Sequence, residues 1–247
     1  LTLTEVVCLK LAGMPLYDSF IHAFSSAGTG GFSNRNASVG AYGSVAIDLI
    51  ITVFILLFSL NFAVYFLLLT RKWREALSSD ELRFFLLVVT GATILIAIDI
   101  APLYTSIWES LRYSVFQVAS IISTTGFATA DFVLWPQTIL VLLMFCGACA
   151  GSTGGGIKCS RVLILLRSIR REIHRVIHPR SVEVVKLDGK VVEEDTLRSI
   201  SVFVGSYLFI ILAATLIISL DDFPFSVSFS SCLLYTSDAA DERSSVD

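Results

Sequence analysis

Charge is scarce along this chain. Asp, Glu, Lys and Arg make up 16% of its 247 residues, against 55% hydrophobic, and mean hydropathy is +0.78. That balance excludes an ordinary water-soluble domain, in which about 25% of residues are charged. A cleavable leader is missing too: residues 1–14 have no charged start followed by an apolar block and a cleavage site, so the chain reads as starting inside a helix, as a fragment would. The five cysteines are scattered, which excludes a disulfide scaffold. Cys146 and Cys149 form a C-x-x-C within an apolar helix, where small packing residues are expected in preference to a metal or redox pair. His174 and His178, spaced i,i+4, fall on a basic segment where solvated side chains are expected in preference to a metal site.

What the chain has in abundance is long apolar runs. Val45 to Leu69 holds 25 residues with Asp48 as the only charge. As one helix it would extend roughly 37 Å, enough to cross about 30 Å of hydrocarbon. Phe84 to Pro102, Pro136 to Ala150 and Ile200 to Leu220 are similar, the third of the four being short. The net charge of -3 says little about orientation, which follows the local distribution of Lys and Arg. Ten of the eighteen basic residues lie between Lys158 and Arg198, and Arg71, Lys72 and Arg74 form a second cluster. With both clusters inside, Val45–Leu69 runs inward, Phe84–Pro102 outward, Pro136–Ser160 inward and Ile200–Leu220 outward.

Two short runs of hydroxyl residues and glycine then fall on the outer side, in "HAFSSAGTGGFSN" and "QVASIISTTGFATADF". Shifting the chain by 95 residues superposes Ser19 on Ser114, Ser25 on Ser120, Thr29 on Thr124, Gly31 on Gly126 and Phe32 on Phe127. An internal duplication is expected, with the unit short helix, glycine run, long helix. Gly, Ser and Thr are also common in plain turns. Two copies at one topological position favour a different reading. Non-helical backbone at membrane depth survives only where protein or a water-filled path satisfies it. The order Thr-Thr-Gly-Phe matches the chemistry of a cation filter, whose backbone carbonyls replace the hydration shell of the ion. Glycine permits the unusual dihedrals, and the C-terminal end of the preceding short helix favours a cation below it. About four strands would be needed around one axis, and this chain supplies two. "FPFSVSFSS" could open a third re-entrant helix.

The helix starting near Pro136 is expected to break at "FCGACAGSTGGGIKCSR". Gly147, Gly151, Gly154, Gly155 and Gly156 each cost about 1 kcal/mol of helix propensity. A phosphate loop is the less favoured reading, because Ile157 stands where its lysine belongs and an apolar helix, not a strand, leads in. A flexible plug beneath the filter is the preferred reading, with Ser152 and Thr153 facing water. Lys158 to Arg180 is basic and amphipathic: either a solvated, lipid-facing inner extension or a dock for a cytosolic regulatory subunit. Asp188-Gly189 signals a small hairpin between short alternating strands. Cys232 to Glu242, "CLLYTSDAADE", matches the translation of a transposase-type sequencing-library adapter. Residues 232–247 are therefore set aside, and the natural chain is expected to continue past Ser231 with other residues.

Together "SSAGTGGFS", "STTGFATAD" and "GACAGSTGGGIKCSR" resemble the Trk/Ktr/HKT family of potassium transporters, in particular the bacterial Trk-type membrane subunit, over essentially Leu1 to Ser231. The resemblance implies an all-α polytopic membrane protein of repeated helix-pore helix-helix units, with re-entrant filter loops around a central pore. It implies repeat two over 1–74, repeat three over 75–180 with an interrupted inward helix, a cytoplasmic connection over 181–197, and the first helix of repeat four over 198–231. Repeat one and most of repeat four would be absent. Thr29, Gly30, Gly31 and Phe32, with Thr124, Thr125, Gly126 and Phe127, resemble filter strands. Potassium would be held by the backbone of Thr29, Gly30, Gly31, Thr124, Thr125 and Gly126. Gly147, Gly151, Ser152, Thr153, Gly154, Gly155 and Gly156 resemble the intramembrane gating loop.

The implied function is potassium uptake across a bacterial inner membrane, by a multi-pass homodimer controlled by a TrkA-like cytosolic nucleotide-binding regulatory subunit. No covalent cofactor and no nucleic acid is implied. Gly30 departs from the pattern, since repeat three has the hydroxyl of Thr125 there, and sodium as cargo or a sodium-coupled cation symporter of the same fold stays open. A membrane enzyme would need convergent acids or histidines at depth. The spans offer Asp48 and Asp99 near their outer ends, expected as interfacial or vestibule charges, and Asn61 deeper. A scaffold without transport would have no need of two buried glycine strands. Cysteine labelling in membrane vesicles should place positions 71 and 175 inside and 35 and 131 outside. Positions 35 and 71 on one side would rule out the inward helix between them.

Overall fold

Apolar runs that cannot hydrogen-bond to lipid must satisfy their own backbone, and this chain does so almost entirely as helix. The structure, a computed structural model, describes residues 1–131, 134–178 and 183–221, together with Phe229, Cys232 and Leu233. The third re-entrant helix expected from "FPFSVSFSS" and most of the segment set aside as adapter lie outside the described residues. In chain order the helices are α1 (Thr2–Leu11), α2 (Leu16–Ala27), α3 (Val45–Phe58), α4 (Phe62–Leu69), α5 (Trp73–Ser78), α6 (Asp80–Ile100), α7 (Ile107–Ile122), α8 (Gln137–Cys146) and α9 (Cys159–Ile177). A two-stranded antiparallel hairpin, β1 (Lys186–Leu187) and β2 (Lys190–Val191), precedes α10 (Glu194–Ile218). The hairpin turns at Asp188-Gly189, where both residues have positive φ.

Among the described residues two helices are long and apolar enough to cross a membrane, over Asp80–Leu103 and Glu194–Ile218. The expected straight span Val45–Leu69 is not one helix. It divides into α3 and α4, bent by 92°. The side-chain oxygen of Asn61 accepts from Ala63 N at 2.8 Å and starts α4 afresh. The backbone groups opened by the bend are taken up by a distant segment: Cys149 N donates to Ser59 O at 3.0 Å, and Phe62 N donates to Gly151 O at 3.1 Å. A run of apolar residues carries no signal for partners so far away, which is why composition alone suggested a continuous helix.

The duplicated unit is visible in the element order. Each copy has a helix (α1, α6), a second helix (α2, α7), a glycine run and a broken helix (α3 with α4, α8 with α9). The copies share one core, in which Phe116, Ala119 and Phe127 of the second pack with Leu9, Met14, Ile51 and Ile55 of the first. A second cluster, with Phe85, Ile96 and Ile100 of α6 against Val118 and Ile122 of α7, holds the second copy together. Large apolar side chains such as Leu87, Ile98 and Phe209 remain exposed, as on a lipid-facing surface. Asp48, expected as an interfacial or vestibule charge, is buried and lies 3.8 Å from the Arg112 guanidinium of α7, while Asp99 is exposed. Truncating the fully buried Phe116 to Ala should destabilise the protein by about 3–5 kcal/mol. The exposed Phe209→Ala should cost less than about 1 kcal/mol, both read from denaturant unfolding in detergent.

Candidate functional site

The site begins where α2 and α7 end. At the end of α2, Thr29 N donates to Ser26 O and Gly30 N to Ser25 O; at the end of α7, Thr124 N donates to Ile121 O and Thr125 N to Ser120 O. The same bonds recur at the same 95-residue offset found in the sequence. Dihedrals repeat as well: φ is +49° at Thr29 and +61° at Thr124, then +67° at Gly31 and +85° at Gly126. Left-handed geometry costs a β-branched residue free energy, so its recurrence at two threonines marks an imposed conformation.

The two runs meet. A Cβ added to Gly31 would lie 2.0 Å from the Thr125 carbonyl oxygen. Phe127 is fully buried and stacks on His22 of the first copy at 5.5 Å between ring centroids, whereas Phe32 is exposed. The two phenylalanines, equivalent in sequence, thus differ in setting. The Thr125 hydroxyl is 2.7 Å from that of Ser123, a bond without a counterpart at Gly30. Around the first run, His22 also contacts Ser33 Oγ at 3.1 Å. Asp18, near the start of the non-spanning α2, accepts from Asn34 Nδ2 at 2.6 Å, Tyr42 Oη at 2.7 Å and Arg35 Nη2 at 3.2 Å. The Tyr42 hydroxyl, joined by the Asn34 amide and Arg35, holds the Asp18 carboxyl below the usual carboxylate range despite its burial.

The glycine-rich break between α8 and α9 lies against both runs. Thr29 Oγ1 donates to Thr153 O at 3.1 Å, and Gly155 N donates to Thr124 Oγ1 at 2.8 Å. A Cβ on Gly154 would come within 2.8 Å of Ser123 O, and one on Gly147 within 2.6 Å of Gly155 O. Those contacts explain why the segment is built of glycine. Ser152 and Thr153, expected to face water, are half-buried and donate to Cys149 O at 2.6 Å and Phe58 O at 3.4 Å, since the folded loop leaves carbonyls within reach. Lys158 Nζ donates to Gly154 O, and Glu81 Oε1 accepts from Ala150 N and Ser160 N. Asp18 and Glu81 were missed in the sequence, where neither stands in a motif; a charge at the start of a long apolar run was the available signal for Glu81.

Cys149 and Cys159 are buried, and no group of three or more metal-ligating side chains occurs among the described residues. His174 and His178 face each other at 4.8 Å between rings, and His174 lies 3.2 Å from Glu183.

A family model described as TrkH, cation transport protein, matches residues 6–231. The chain belongs to this family. It is 35% identical to the Trk system potassium uptake protein TrkG of Escherichia coli over 230 residues, covering 91% of this chain and 47% of TrkG. Identity to the Trk system potassium uptake protein TrkH of Halomonas elongata is 36% over 219 residues, covering 84% of this chain and 44% of that protein. The crystal structure of the potassium transporter TrkH from Vibrio parahaemolyticus superposes with a TM-score of 0.87 at 31% identity, over 95% of this chain and 52% of that one. The chain therefore spans about half the length of these relatives. Family and fold make it a helical membrane protein of the Trk kind.

The two glycines make opposite steric demands. Gly31→Ala forces the runs apart, whereas Gly126→Ala meets no atom within 4 Å and carries only the dihedral penalty. The melting temperature of the full-length protein in detergent should fall several degrees further for Gly31→Ala than for Gly126→Ala.

Proposed function

We propose that this chain is the central part of the ion-conducting subunit of a Trk-type potassium uptake system. Residues 29–32 and 124–127 are two of its filter strands, and 147–156 is the gating loop below them. The observation that carries this reading is the recurrence, 95 residues apart, of one unusual backbone conformation at Thr29–Gly31 and Thr124–Gly126. Turns chosen independently would have no reason to repeat both dihedrals and hydrogen bonds. A filter needs that repetition, because equivalent carbonyls must present equal ligands to one ion.

In this reading residues 1–74 are repeat two, 75–180 repeat three, 181–197 the cytoplasmic connection and 198–231 the first helix of repeat four. The intact protein is a multi-pass homodimer of a bacterial inner membrane, and its gate answers to a cytosolic nucleotide-binding subunit. Its work is passage of a dehydrated cation without covalent chemistry. The hydroxyl lost at Gly30 leaves the Ser123–Thr125 bond unmatched in the first copy, so selectivity rests on backbone geometry more than on hydroxyl ligands.

Gly126→Ser in the complete protein tests this. With φ at +85°, a side chain there distorts the strand while leaving the spans untouched. Discrimination of potassium over sodium should fall about tenfold, the effect of ~1.4 kcal/mol in relative binding. The measurement is uptake of each cation by cells lacking other potassium systems, normalised to inserted protein. Unchanged selectivity at normal insertion would refute the filter assignment.

A further inference from the structure

The segment between α8 and α9 has no ladder of its own, so its backbone donors need acceptors from elsewhere. One carboxylate supplies two of them. Glu81 Oε1 accepts from Ala150 N at 2.6 Å and from Ser160 N at 3.2 Å. Ala150 precedes the glycine turn and Ser160 follows it, in the first turn of α9, so a single oxygen clasps both stems of the loop. Glu81 is buried. Hydrogen bonds to a carboxylate are about twice as strong as those between neutral groups. The position of the loop is therefore set from the start of α6.

The residue beside Glu81 holds something else. Asp80 Oδ2 accepts from Asp188 N at 3.0 Å and from Arg167 Nη1 at 2.8 Å, while Asp188 Oδ1 accepts from Asp80 N at 2.6 Å. Arg167 donates as well to Lys186 O in β1. Asp188 is in the exposed turn of the hairpin between α9 and α10. Consecutive residues on a helix point about 100° apart, so Asp80 and Glu81 serve different neighbours from one rigid turn. The first turn of α6 thus bonds to both the hairpin and the loop, alongside α9, whose Arg167 reaches Lys186 O and whose Cys159 N donates to Ala148 O.

We propose that Glu81 is the positioning residue of the gating loop, and that the Asp80–Glu81 turn relays displacement of the cytoplasmic hairpin to it. The inference rests on the reading of 147–156 as the gate. When the hairpin is seated, Asp188 and Asp80 fix the first turn of α6, and Glu81 holds both stems of the loop under Thr29 and Thr124. When the hairpin is drawn away, that turn loses its reciprocal bonds, the carboxylate shifts, and the glycine-rich loop loses the anchor that keeps it in place. The two arrangements of the loop are the two states that both sites bias, which a claim of coupling requires.

Cys149, buried in the loop beside Ala150, reports the state of the loop without any ion. The test uses the full-length protein in inside-out vesicles, a membrane-impermeant maleimide, and mass-spectrometric mapping of the rate at Cys149. Potassium flux per inserted molecule is measured in parallel. Glu81→Ala should speed labelling by about tenfold or more, since two charge-assisted bonds are lost. Glu81→Gln, which keeps an acceptor oxygen, should give a smaller rise. Asp188→Ala, which makes no contact with the loop, should also speed labelling, by roughly threefold, the part of the anchoring that the relay carries. The parent rate in Asp188→Ala overturns the relay, and the parent rate in Glu81→Ala overturns the tether. Should Glu81→Ala fail to insert, Glu81→Gln and Asp188→Ala decide the question, and parent rates in both overturn it. Faster labelling at unchanged flux upholds tether and relay and refutes the gate reading instead.

Discussion

Backbone polar groups at membrane depth must be satisfied inside the protein, and every unusual feature of this chain depends on how that requirement is met. An unbroken helix satisfies itself. The glycine runs after α2 and α7, the bend at Ser59–Asn61 and the break at 147–158 do not, and each opens donors and acceptors that lipid cannot accommodate. They satisfy one another. The bend gives its carbonyls at Phe58 and Ser59 to the loop and takes the loop's carbonyl at Gly151. The loop in turn bonds to the first threonine of each run.

This mutual dependence makes the centre of the molecule a single cooperative unit. Removing any one break would strand groups belonging to the others, at about 1–3 kcal/mol for each buried polar atom left unpaired. It also explains the concentration of glycine. At Gly31, Gly147 and Gly154 a Cβ would enter the space of a neighbouring carbonyl. Close approach of backbone to backbone lets these segments bond directly, without water between them.

Charged residues are few, and the structure uses them where the irregular backbone needs fixing. Asp18 gathers Asn34, Arg35 and Tyr42 beside the first run. Glu81 holds the loop, and Asp80 with Arg167 and Asp188 ties the hairpin to α6. Asp48 lies near Arg112 between the copies. In a low-dielectric setting a carboxylate that accepts several donors is a strong and directional fastening, which accounts for its use in preference to more apolar contact.

Hydropathy alone determined that this is a helical membrane protein, because the length of an apolar run is a direct physical requirement for crossing lipid. The 95-residue repeat determined that the glycine runs are equivalent, and the crowding of glycine after Cys146 determined that the helix there must break. Those signals are local or periodic, so sequence carries them. Only the tertiary structure decided that Val45–Leu69 bends by 92°, since the partners that permit the bend lie about ninety residues away in the loop. It alone separated Phe127, buried against His22, from the exposed Phe32, and it alone brought Glu81 to the loop. Long-range hydrogen bonds depend on where two distant segments meet, and no propensity of either segment encodes that meeting.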